Sequence, residues 1–145
     1  MPGRPGRKGN DIMRGFIPHS NEDGRVAPWE YLPCSAITPK IGMALVQSSG
    51  NLAIATGTTK PTYISMMEAA SAVTAGTKIP VIKVQPDQVF EVTNSASLAD
   101  VAIGSKVTLH ASNGLQITAT TSSGVARLLQ KDADASGSRC LVCFD

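Results

Sequence analysis

The chain has 145 residues, 42% of them apolar but only 4% aromatic, and a formal net charge of +2. That length fits one domain, able to bury roughly 70% of the surface its unfolded chain exposes. The charge is too small to imply a nucleic-acid partner for the whole domain, and no apolar run approaches the ~20 residues of a membrane helix.

The first ten residues, MPGRPGRKGN, are basic with no apolar stretch behind them, which is unlike a secretory leader. Residues 1–34 read as an extended N-terminal arm. Pro2, Pro5, Pro18 and Pro28 alternate there with Gly3, Gly6, Gly9, Gly15 and Gly24, and no hydrophobic period appears. Such a segment cannot by itself bury enough apolar area to offset its ordering entropy. Yet Ile12, Met13, Phe16, Ile17 and Val26 punctuate it, and Trp29, Tyr31 and Leu32 stand where it joins the domain. Apolar anchors on an arm suggest a segment that orders against a surface. Phe16 and Ile17 are expected to contact a neighbour, and Trp29 and Tyr31 to contact both the neighbour and the parent domain.

From residue 35 to 145 the texture is β. The run MALVQ leads through Ser48-Ser49-Gly50-Asn51 into LAIAT, where Leu52 and Ile54 alternate with Ala53 and Ala55 as in a half-buried hairpin. Tyr63 to Met67 is a further strand; Glu68 to Ala75 is Ala-rich enough for a helical turn, but Thr74, Ala75 and Gly76 look more like a loop. KIPVIKV, from Lys78, is a strand whose Pro80 belongs at an edge or bulge, since proline cannot donate to a ladder. Gln88 to Thr93 alternates cleanly. Strands then follow at Lys106 to His110, Leu115 to Thr120, Val125 to Gln130 and Arg139 to Phe144, and Asn113-Gly114 is the strongest hairpin signal. About eight short strands spaced by turns predict an all-β domain, a small barrel or a sandwich.

The two halves overlay. IGMALVQSSGNLAIATG matches IGSKVTLHASNGLQITATT with a two-residue difference in the turn, and VTAGTKIPVIKV matches DASGSRCLVCF. Segments 36–94 and 98–145 are either two similar β units or a chance likeness of Gly/Thr/Ala-rich sequence.

Candidate chemistry is sparse. The cysteines are Cys34, Cys140 and Cys143, an odd number that fits a reducing compartment better than a disulfide framework. Cys140 and Cys143 form a Cys-x-x-Cys motif. Redox and zinc chemistry need both sulfurs to converge, whereas residues three apart on a strand face opposite sides. Cys140 is expected to share a face with Val142 and Phe144, as a small buried hydrophobe. His19 and His110 have no partner at ligand spacing, Asp132 and Asp134 read as solvated loop carboxylates, and Gly3, Gly6 and Gly9 follow no strand and open no helix, as a phosphate loop must. No catalytic residue, cofactor or metal is predicted, and the protein is expected not to be an enzyme. Arg4, Arg7 and Lys8 form a basic tip that is solvated, pairs with an acidic protein surface or neutralises phosphates, in that order of preference; Arg14 follows them as a further contact candidate.

The segment ITPKIGMALVQSSGNLAIATGTTKPTYISMMEAASAVTAGTKIPVIKVQPDQVFEV resembles the domain opening of bacteriophage head decoration (cement) proteins, and ADVAIGSKVTLHASNGLQITATTSSGVARLLQKDADASGSRCLVCF resembles its second half. The likeness covers residues 36–144 and reaches the arm only in general character. It implies a virion structural protein, made in the host cytoplasm, that sits on the capsid surface and stabilises the shell by bridging major capsid subunits. A homo-oligomer is implied, a trimer first, with no membrane partner and nucleic acid disfavoured. An arm of thirty residues at ~3.3 Å each could span up to about 100 Å. The contacts would come from Arg4, Arg7, Lys8, Arg14, Phe16, Ile17, Trp29 and Tyr31. The rival readings are another virion part, such as a head–tail connector, tail-tube or fibre-base protein, and a small nucleic-acid-binding barrel.

Overall fold

The computed structural model describes residues 14–21, 24 and 27–145. Eleven strands and no helix form among them: β1 (Ile17–Asn21), β2 (Trp29–Pro33), β3 (Ala44–Ser48), β4 (Asn51–Ile54), β5 (Tyr63–Ser65), β6 (Lys78–Lys83), β7 (Gln88–Asn94), β8 (Lys106–Val107), β9 (Gln116–Ile117), β10 (Ala126–Lys131) and β11 (Arg139–Cys143). The all-β expectation holds, and of the two architectures left open the fold is an open sandwich, not a closed barrel. One sheet runs β1-β7-β11-β10-β8, with β9 parallel to β7; the other runs β2-β6-β5-β3-β4. All other strand neighbours are antiparallel.

Period-two alternation sets what each sheet buries. Phe90, Val92, Cys140, Val142, Phe144, Leu128 and Val107 share one core with Ala44, Ile64 and Ile82 of the opposite sheet. The other face of the second sheet carries Leu45, Ile79 and Val81. It forms a second cluster with Cys34, Met43, Leu52 and Leu115. Segments 35–41 and 66–77 help to seal it, with Ile37, Met67 and Val73 packing on the cluster and Val73 N donating to Ile37 O at 2.9 Å. The first sheet thus buries one face and the second buries both.

The two sheets are wired alike. In one, Ala44 pairs with Ile64, Ile64 with Ile82, and Val81 with Glu30. In the other, Lys106 pairs with Arg127, Arg127 with Cys143, and Val142 with Phe90. Gly42 N donates to Ser65 O, and Gly104 N to Leu128 O. Gly76 N donates to Cys34 O, and Gly137 N to Asn94 O. Ser35 N donates to Leu52 O, and Ser95 N to Ile117 O. All four of these glycines hold φ between 84° and 96°, where an L side chain is strained. The match aligns Leu45 with Val107 but Leu52 with Ile117, so the turns differ by three residues where the sequence overlay suggests two. The longer turn is pinned by His110 Nδ1, which accepts from Ser112 N and Asn113 N, and by Asn113 Oδ1, which accepts from Leu115 N at 2.7 Å. It is therefore a wider connection than the two-residue hairpin that Asn113-Gly114 predicts.

Two sequence expectations are corrected. The described residues between 14 and 34 do not behave as an arm. Phe16 is fully buried, β1 pairs with β7, and β2 pairs with β6 along its whole length. The backbone groups of these short strands find partners on strands 45 to 74 residues away, contacts that local composition does not encode. Pro80 lies on β6, an interior strand rather than an edge, with no break in its register to β2. Its carbonyl accepts from Met66 N at 2.9 Å. The missing N–H thus faces Met66, just past the end of β5, and takes no bond from the β2 ladder.

Candidate functional site

Arg4, Arg7 and Lys8 lie outside the described residues. Of the other expected contact residues, Arg14 is exposed and Ile17 is half-buried. Phe16 cannot meet a neighbour. Its ring stands edge-on to Phe90 at 6.4 Å and Phe144 at 5.1 Å in the main core. The chain is led there by a close backbone crossing, where Gly15 N donates to Ile41 O at 2.9 Å and Phe16 N to Gly42 O at 2.7 Å. Only glycine fits, because a Cβ on Gly15 would lie 2.2 Å from Gly42 O. A large aromatic in a Pro/Gly-rich segment suggests an anchor for another molecule, but here it anchors its own chain.

Trp29 and Tyr31 are brought together on the surface, 56% and 62% exposed. They sit two apart on β2, so both project from one face, opposite Ile82 and Pro80 of β6. Beside Trp29 runs a groove of about 490 Å³ lined by Pro18, His19, Met66, Ile82 and Gln88. The Gln88 side-chain oxygen is buried with no hydrogen-bond partner among the described residues. Sequence reasoning missed this groove, since β1 and β2 build it only after both have joined their sheets. Lys78, exposed at the far end of β6 opposite Pro33, was also missed.

Cys140 lies in the main core with Val142 and Phe144, on the face the alternation predicts. Burial, and then the nearby Asp132 charge, push its thiol up to about 11. Burial also raises Cys34 and Cys143 above the usual thiol range. At neutral pH all three hold their protons and are poor nucleophiles. The loop carboxylates expected to be solvated are each paired, Asp132 with Arg139 at 3.1 Å and Asp134 with Lys131 at 2.7 Å. Arg139 also reaches Glu91 at 3.1 Å. At the chain's last residue, Arg127 Nε donates to both carboxylate oxygens of Asp145, and Lys106 approaches at 3.6 Å. The Arg127 hydrogen bond holds this carboxyl below its usual range. These clusters tie strands and loops together and leave their charges satisfied.

No family model matches the chain, and none of the curated proteins matches it.

Proposed function

We propose that this chain is a virion structural protein that binds the capsid surface and stabilises the shell by bridging neighbouring major capsid subunits. The observation that carries the reading is the Trp29–Tyr31 pair, two large aromatics left in solvent on one strand of an otherwise well-packed sandwich. Aromatic side chains supply large, rigid contact area and dominate the energetics of protein interfaces. The resemblance of residues 36–144 to head decoration proteins supplies the identity of the partner. A repeating shell suits such a binder, because many modest contacts on a lattice add up to durable attachment. The basic residues Arg4, Arg7 and Lys8 would add contacts from the N-terminal segment, and oligomerisation on the shell, as a trimer first, would multiply them.

The test is sedimentation of the purified chain with empty bacteriophage heads assembled from the cognate major capsid protein. Saturable binding in hundreds of copies per head, with heads that withstand more heat or chaotrope, is the expected result. Trp29→Ala with Tyr31→Ala should weaken it, as should removal of residues 1–13. Absence of the wild-type chain from the head fraction rejects the reading, and a dozen copies per head would favour a connector instead.

A further inference from the structure

The two sheets share one bonding scheme, but they differ at one edge. The outer edge of β7 is covered twice. β1 lies along Gln88–Glu91, and β9 runs parallel to Thr93 and Asn94. In the matching strand, β2, the C-terminal end is covered in the same way, because Cys34 pairs in parallel with Leu52. The remaining stretch, Pro28–Tyr31, matches the part of β7 that β1 covers. It has no strand beside it among the described residues.

This stretch is ready to accept one. The Pro80 carbonyl points away from β2 to Met66 N. At the Tyr31–Pro80 pair, then, β2 and β6 exchange no hydrogen bond, and Tyr31 turns its N–H and C=O toward the open side. Alternation gives Trp29 the same direction. Two N–H groups and two carbonyls with no partner among the described residues therefore line this edge, flanked by the exposed Trp29 and Tyr31 rings. Natural sheets usually blunt such an edge with charge, proline or a covering segment.

We infer that Trp29–Tyr31 is a strand-docking site. It takes an extended segment of another protein that runs antiparallel to β2, pairs through its backbone and lays apolar side chains over the two rings. β1 on β7 is the template, with Ile17 opposite Glu91, the residue that corresponds to Tyr31. A second copy of this chain is not the occupant. Two half-exposed aromatics offer roughly 160–300 Å² per chain, and doubling that falls well short of the roughly 1,200 Å² at which stable interfaces begin. A segment of a larger partner, held also by other contacts, fits the patch. The exposed Lys78, on the same face and without an ion pair among the described residues, favours a carboxylate at the corresponding end of that segment. Strand addition is a common mode of peptide recognition, with affinity from the main chain and specificity from alternate side chains. This inference rests on the protein-binding reading above.

The probe is a synthetic peptide with the sequence of residues 15–21, Gly-Phe-Ile-Pro-His-Ser-Asn, added to the full chain. In the free chain the Trp29 and Tyr31 amides should exchange hydrogen fast while those of Glu30 and Leu32 are protected. Saturation with peptide should slow the first pair by about tenfold or more. A peptide N-methylated at the position of Ile17, which leaves the protein untouched, should lose that effect, and Tyr31→Pro should abolish binding. Slow Trp29 and Tyr31 amides in the free monomer, failure of the peptide to bind, or equal binding of the methylated peptide each overturn the inference. So does a Tyr31→Pro chain that sediments with heads as the wild type does, which leaves the decoration reading standing. Peptide binding by a chain that ignores heads removes the decoration reading and leaves the docking edge.

Discussion

Replacing Phe16 by alanine separates an anchor for a partner from a keystone of the fold. The ring is fully buried between Phe90 and Phe144, with centroids 6.4 and 5.1 Å away and planes tilted by 88° and 61°. Truncating a buried phenylalanine costs about 3–5 kcal/mol, which already contains the loss of both edge-on ring contacts. A domain of this size has about 5–15 kcal/mol in total, so the variant stands near the limit of folding. At about 2–4 °C per kcal/mol, Tm should fall by about 6–20 °C. Thermal denaturation followed by circular dichroism reads this directly, with a urea series to check that the m-value is unchanged. Trp29→Ala is the control, since truncating an exposed side chain should stay within about 0.5 kcal/mol. A Phe16→Ala chain with an unaltered Tm and weakened partner binding would refute the packing argument and restore Phe16 to the surface.

Gly15→Ala should cost about 1–3 kcal/mol by forcing the Gly15–Gly42 crossing apart, seen as a lower urea midpoint, because the new Cβ would meet Gly42 O at 2.2 Å. Ellman's reagent at pH 8 should label the native chain far more slowly than a free thiol and label all three cysteines once urea is added, since burial raises each of them, Cys140 up to about 11. Asp145→Asn should cost under about 1 kcal/mol at pH 7, the pair with Arg127 being partly solvated. The folded carboxyl lies below its ordinary value, so its contribution is present above that value and lost as pH falls through the lowered one. The gap in urea midpoint between wild type and variant should therefore close on acidification.

The elements from Ala44 onward were legible because two signals agree there. Alternation marks the strands, as in Gln88–Asn94 where every second residue is buried, and glycines with φ > 0 mark the turns at Gly50, Gly76, Gly104 and Gly137. The same alternation placed Cys140 with Val142 and Phe144 in the core. In residues 14–34 the two signals do not combine, although Gly24, at φ 74°, marks a turn. Pro18 falls inside β1 beside a register shift between Pro18 and Ser20, and β2 holds the alternation Trp-Glu-Tyr-Leu-Pro with its large aromatics on the outside. What makes these strands is supplied by β7 and β6, which present partners at the right spacing. Trp29 and Tyr31 were readable as surface residues from their type and their place at a junction. The open edge behind them was not, because it depends on which way the Pro80 carbonyl points.

Equivalent wiring does not make the two halves interchangeable, and one matched pair explains why. Cys34 and Asn94 occupy the same place. Each carbonyl accepts from the glycine of a facing loop, and each N–H donates in return, Cys34 N to Thr77 O and Asn94 N to Ser138 O. Their side chains meet opposite demands. Cys34 is enclosed by Leu45, Leu52, Ile79 and Val81, where an amide would be buried without partners. Asn94 faces loop backbone, and its side chain accepts from Ser138 N at 2.7 Å and donates to Ala96 O at 2.9 Å. The backbone scheme is fixed by glycine turns and strand alternation, which tolerate many side chains. What lies beyond each position then decides polarity. In the second sheet two loops close over the outer face, so its interior is apolar. In the first sheet, β1 closes the edge instead. Among the described residues the second sheet has no such strand, and its edge carries the two exposed aromatics, Trp29 and Tyr31.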